Sequence, residues 1–138
     1  MKFYTIGYGG RNPQDFVDLL KQKGVKTIVD VRLRPDRSSM GAYVKAGAPE
    51  KGIQKLLSRA HIGYVSLVEL GNIFRNYEDW RERYKRLFDR AGELLTDRLN
   101  EMETPFCMMC AEKKVANCHR QVISDYLVMK GHEVEHLE

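Results

Sequence analysis

Long apolar runs are missing from this sequence. No stretch approaches the ~18 residues that a membrane-spanning helix needs, so a transmembrane protein is excluded at this level. Cysteine is scarce and odd in number, three in 138 residues. That argues against a disulfide framework and for reduced thiols in a cytoplasmic protein. The chain also lacks repeats, linkers and low-complexity tracts, which excludes solenoid and disordered classes. It has no charged-then-apolar leader: Met1-Lys2-Phe3-Tyr4 runs straight into a strand-like pattern, so no export signal is expected. Nor does one sign of charge dominate. Twenty-three Lys and Arg face nineteen Asp and Glu, for a net +4 and a pI of about 9.0. This permits an anionic partner without requiring one.

What remains is a composition of 43% hydrophobic and 30% charged residues, fitting one globular domain over residues 1–138. The chain reads as alternating strands and helices. Strands are expected at Lys2–Tyr8, Val25–Leu33, Tyr64–Val68, Phe106–Cys110 and Glu133–Leu137. A first helix starts at Asn12-Pro13, a cap residue followed by proline, and closes at Gly24. A second starts at Pro49 and carries Ile53, Leu56, Leu57 and Ala60 at helical spacing. The longest is expected over Tyr77–Glu103, the last over Cys118–Lys130. The charges on the long helix are mixed in sign and read as a solvated face. Arg34–Ala48 reads as an aperiodic loop. Strands separated by whole helices imply crossovers. The expected fold is therefore α/β, a three-layer α/β/α sandwich with a mostly parallel, about five-stranded sheet.

In such sheets ligands bind beyond the carboxyl ends of the strands. The first strand ends in Gly7, Tyr8 and Arg11, the second in Asp30, Arg32, Arg34 and Arg37. The fourth ends in Cys110, followed by Glu112, Lys113 and Lys114, and the last helix opens with Cys118, His119 and Arg120. If the strands are parallel, these groups meet at one rim. Asn117 reads as a cap, which puts Cys118 in the first helical turn, where amide groups and the dipole favour a thiolate. Cys110 ends a strand ahead of a loop, an arginine and a helix. That is the rhythm of rhodanese-like and phosphatase-like sites, although the segment to Arg120 is longer than the phosphatase loop. A reversible Cys110–Cys118 disulfide needs the two to be close. Zinc is disfavoured: Cys107 and Cys110 fall on opposite faces of a strand, which makes Cys107 a core residue, and Cys118 and His119 are adjacent. Asp30 and Arg32 share a face and read as an ion pair.

The set Thr5-Ile6-Gly7-Tyr8, Val29-Asp30-Val31-Arg32 with Pro35, Ile62-Gly63-Tyr64, Leu70-Gly71, Cys110-Ala111-Glu112, Cys118-His119-Arg120 and Glu133-Val134-Glu135-His136 resembles the domain-of-unknown-function 488 family. The resemblance implies a compact α/β domain with Gly7, Tyr8, Asp30, Arg32, Cys110, Glu112, Cys118, His119 and Arg120 as signature positions. Tyr8 stands where many relatives carry histidine, and Asn72 where many carry a second glycine. The reading is a protein with an anion-binding, thiol-containing pocket. As an enzyme it would use Cys110 or Cys118 as nucleophile and Glu112 or His119 to move protons. Gly7, Tyr8, Arg11, Asp30, Arg32 and Arg120 would form the anion site. The substrate would be of phosphate, sulfur or nucleotide type, with no cofactor specified. The alternative is a nucleic-acid-binding or accessory module using Arg11, Arg32, Arg34, Arg37, Lys113 and Lys114 on phosphates, with the cysteine cluster as a structural clasp or metal site.

Overall fold

Five short apolar runs pair side by side to form the centre of the molecule. The computed structural model describes residues 1–138. The strands are β1 (Lys2–Gly7), β2 (Thr27–Asp30), β3 (Gly63–Ser66), β4 (Phe106–Cys110) and β5 (Glu133–Leu137). They lie in the order β3-β2-β4-β1-β5, and every pairing is parallel. Parallel neighbours need a crossover, and the helices supply it on both faces. Helices α1 (Pro13–Gln22) and α2 (Gly52–Ser58) cover one face, burying Phe16, Leu20, Ile53 and Leu57 against Ile6, Ile28 and Met109. Helices α3 (Trp80–Leu95) and α4 (Arg120–Met129) cover the other, burying Tyr84, Phe88, Ile123 and Leu127 against Phe3, Val29 and Met108. The result is the three-layer α/β/α sandwich read from the sequence. No helix is long and apolar enough to cross a membrane.

Central β4 is buried at every residue. Its side chains alternate between the two cores, Phe106, Met108 and Cys110 to one side and Cys107 and Met109 to the other. A strand with both faces covered has no polar side, which is why its sequence is an unbroken apolar run. The first helix starts as its sequence dictates: Asn12 Oδ1 accepts the Gln14 amide (2.8 Å), and Pro13 takes the first helical position.

Several boundaries move. Strands β2 and β3 are shorter than the hydrophobic runs that contain them. The second helix starts at Gly52 rather than Pro49. The long helix ends at Leu95 and gives way to a 3-10 turn over Asp97–Glu101. Thr96 makes that break, its hydroxyl donating to the Gly92 carbonyl (2.7 Å) and competing for the helix's own acceptor. Helix α4 begins at Arg120, so Cys118 sits before it in extended backbone, and Asn117 ends a 3-10 turn instead of capping the helix. The Arg34–Ala48 segment is anchored rather than free. Tyr43 is fully buried, stacked on Tyr8 (4.5 Å between centroids), and donates its hydroxyl to the Arg11 carbonyl (2.8 Å).

Candidate active site

The chain leaves β2 toward α2 on one face and leaves β4 toward α4 on the other. Neighbouring strands whose exits part in this way open a crevice at their carboxyl ends. A cavity of about 300 Å³ lies there. Tyr8, Arg32, Cys110, Glu112, Cys118 and His119 line it, joined by Arg34 and Arg37 from the loop after β2. Asn72, Arg75 and Trp80, from the segment after β3, complete the wall. Six of the ten site residues expected from sequence therefore share one wall. Asp30, Gly7, Arg11 and Arg120 stand behind it.

Asp30 is fully buried and holds Arg32 bidentately, accepting from Nε at Oδ1 (2.9 Å) and from Nη2 at Oδ2 (2.7 Å). It also accepts the Arg32 amide (3.1 Å) and the Tyr64 hydroxyl (2.5 Å). Burial works against the guanidinium charge, but the Asp30 hydrogen bonds and charge prevail and raise the Arg32 pKa above its ordinary value. Arg32 is thus a fixed cation at the cavity wall, with Asp30 as the support that aims it. Burial, together with the Asp30 carboxylate, pushes the Tyr64 hydroxyl pKa upward, so it remains a donor. Tyr8 completes the arrangement, its hydroxyl donating to Ser38 Oγ (2.9 Å) and its ring lying beneath the Arg32 guanidinium (5.3 Å).

Arg120 is fully buried beneath the loop that follows β4. Its Nη1 donates to the Glu112 carbonyl (2.6 Å) and to Cys110 Sγ (3.0 Å), Nη2 to the Lys113 carbonyl (3.1 Å), and Nε to Thr5 Oγ1 (3.2 Å). No carboxylate touches it. Burial lowers its pKa to about 10, which leaves it charged at neutral pH. A buried cation without a carboxylate favours negative charge on its neighbour, and the only ionisable neighbour in hydrogen-bond contact is the Cys110 sulfur. Arg120 therefore clasps the loop from beneath and donates to the Cys110 sulfur, and it does not line the cavity.

Cys118 lies across from Cys110 with the two sulfurs in contact and the Cα atoms 7.6 Å apart, wider than the separation a disulfide ordinarily spans. The Arg120 amide donates to Cys118 Sγ (3.5 Å), so the helix start does favour this sulfur although Cys118 precedes the helix. His119 is buried, its Nε2 2.8 Å from the Val31 carbonyl and its Nδ1 3.6 Å from Cys118 Sγ. A carbonyl oxygen only accepts, so Nε2 carries the proton and Nδ1 presents a lone pair to the Cys118 thiol. Burial lowers the His119 pKa to about 4, and the ring is neutral at physiological pH. Cys107 points into the opposite core, free and fully buried, and its burial raises the thiol pKa. It cannot join the other two on a metal, and no three His, Cys, Asp or Glu residues converge as a metal-binding group.

Gly7 and Arg11 hold the frame. The Arg11 Nε donates to the Gly7 carbonyl (2.9 Å) and its Nη2 to the Leu137 carbonyl (3.1 Å), which ties β1 to β5 and turns the side chain away from the cavity. Past Gly7, the Tyr8 and Gly9 amides donate to the Cys110 and Ala111 carbonyls (3.0 and 2.9 Å), extending the pairing into the loop. A Cβ on Gly7 would overlap the Glu112 carbonyl and stand 2.8 Å from Lys113 Cα. Gly7→Ala must push that loop off Arg120. The expected cost is about 1–3 kcal/mol, as for other overpacked sites, with a lower melting temperature. An unchanged melting temperature would show that the loop yields freely.

Asn72, Arg75, Trp80, Thr5 and Tyr64 belong to the site or its support but were not among the site residues expected from sequence. Two of them carried a signal: Trp80 is the single tryptophan, and Thr5 is a polar residue inside an otherwise apolar strand.

Fold and site together define a parallel α/β protein with a cysteine-arginine pocket at the carboxyl edge of its sheet. The chain belongs to the family described as domain of unknown function DUF488, whose model matches residues 12–127. That span includes Asp30, Arg32 and the whole Cys110–Arg120 segment, while Gly7, Tyr8 and Arg11 precede it. No curated protein matches the chain. Among solved structures, it is similar to a proposed phosphatase (DUF442) of Shewanella putrefaciens CN-32, at 19% identity and a TM-score of 0.44. The likeness covers 93% of this chain, which spans 65% of that one.

Proposed function

We propose that this protein is a thiol-dependent enzyme acting on a small anionic substrate of phosphate, sulfur or nucleotide type, with Cys110 as the nucleophile. The observation that carries this reading is the buried Arg120 guanidinium, which lacks a carboxylate and donates to Cys110 Sγ at 3.0 Å on the floor of an arginine-lined cavity. Arg32, Arg37 and Arg75 would neutralise the incoming anion, and the rigid Asp30–Arg32 pair would orient it. For a phosphate ester, the Cys110 thiolate forms the S–P bond as the P–O bond breaks. Glu112, on the cavity wall, relays a proton from solvent to the departing oxygen. Water then cleaves the S–P bond, regenerating the thiolate and releasing phosphate. His119 Nδ1 accepts a hydrogen bond from Cys118 and keeps that thiol oriented beside the nucleophile.

The test is alkylation of the reduced protein by iodoacetate, with mass analysis of each cysteine. Cys110 should react faster than a free cysteine peptide, and inorganic phosphate should slow it by occupying the arginines. Cys110→Ser should abolish turnover of any phosphate ester the protein hydrolyses. Alkylation no faster than the peptide and indifferent to phosphate would overturn the proposal.

A further inference from the structure

The cavity does not end at its own rim. Asn72 and Arg75 line it, while Phe74, between them in sequence, lines a second depression along α3 with Arg83, Arg86, Leu87 and Arg90. The three arginines are spaced i, i+3, i+7, which places them on one helix face over about 10 Å. Arg83 is paired with Asp79 (2.8 Å), whereas Arg75, Arg86 and Arg90 form no ion pair. Between the two depressions the surface is aromatic. Tyr77 is half exposed, edge-on to Phe74 (6.3 Å) and covered on its face by Arg83 (4.1 Å). Trp80, on the cavity wall, carries Arg81 over its ring (4.7 Å). Asn72 Oδ1 is taken by the Phe74 amide (3.0 Å), and its side-chain NH₂ has no protein partner.

A small free anion would use the cavity arginines and nothing beyond. A basic track interleaved with aromatic rings is instead the surface that a flexible polyanion with flat bases recognises: cations follow its phosphates, and rings stack its bases whatever their sequence. We infer that the substrate of the proposed thiol site is a nucleotide unit of a single-stranded nucleic acid. One nucleotide enters the cavity, its base against Trp80 and within reach of the Asn72 amide, while flanking phosphates run along Arg83, Arg86 and Arg90. This rests on the thiol-enzyme reading for its chemistry but not for its binding.

The single tryptophan is a built-in reporter. Titrating the Cys110→Ser protein with single-stranded oligothymidylate should quench its fluorescence, with an affinity that falls steeply as salt rises. The double variant Arg86→Ala/Arg90→Ala should bind at least tenfold more weakly and lower the slope of log affinity against log salt by roughly 1.4, as loss of two single-strand phosphate contacts requires. Thymidine monophosphate should quench only at much higher concentration, and heparin, which has phosphate-like charge but no bases, should not quench. Absence of quenching by the oligonucleotide, equal quenching by heparin, or unchanged binding of the double variant would each overturn the inference. Because the nucleophile is already removed, failure here leaves the alkylation test untouched, and failure of that test leaves the quenching intact.

Discussion

Replacing Arg120 with methionine should cost about 4 kcal/mol, since two part-buried carbonyls and the buried Thr5 hydroxyl lose this donor at roughly 1–3 kcal/mol per unsatisfied group. Methionine fills the stem of the side chain but donates nothing to Glu112, Lys113 or Cys110. Thermal unfolding of the variant should therefore begin well below that of the parent. A second effect separates charge from scaffolding. With its cationic neighbour gone, alkylation of Cys110 at neutral pH should slow by an order of magnitude or more. Arg120→Lys restores the charge without the guanidinium that reaches four acceptors, so it should recover part of the reactivity and little of the stability. Arg120→Met that melts and alkylates like the parent would remove both roles.

Stability should also fall in mild acid because of His119. Its pKa in the fold is about 4, against an ordinary value of 6.5. Below pH 6.5 the unfolded chain takes up a proton on this ring that the native protein refuses, so acid favours unfolding. The contribution is intact above pH 6.5 and is lost progressively as pH drops toward 4, roughly 3 kcal/mol in all. His119→Gln retains a donor for the Val31 carbonyl and cannot titrate. The difference between parent and variant urea midpoints should therefore shrink across that window. His136 also has its pKa lowered by burial, and it is present in both proteins, so it cancels. Parallel pH curves for the two proteins would show that His119 does not carry this dependence.

Both predictions concern residues whose chemical type was plain in the sequence and whose place in the site was not. Cys118-His119-Arg120 reads as three adjacent functional groups. In the fold, His119 reaches back to Val31, Arg120 reaches down to Thr5 and across to Cys110, and only Cys118 and His119 face the cavity. Local spacing cannot reveal this, because the partners are up to 115 residues away. Arg11 and Arg32 look equivalent in sequence, as cations that follow consecutive strands. One is turned to the edge strand by the Leu137 carbonyl, and the other is fixed at the cavity by Asp30, a partner two positions away that strand alternation does reveal.

The amino-acid sequence by itself determined the alternation of strands and helices, their parallel arrangement and the gathering of sulfur and guanidinium groups at one edge. These follow from short-range rules: hydrophobic period, helix caps, and the helix-length crossover that parallel pairing demands. Tertiary structure alone decided which of those groups touch, that Arg120 supports while Arg32 faces outward, and that Asn72, Arg75 and Trp80 complete the wall. Side-chain direction near strand ends is set by packing between segments distant in the chain, and no local pattern encodes those contacts.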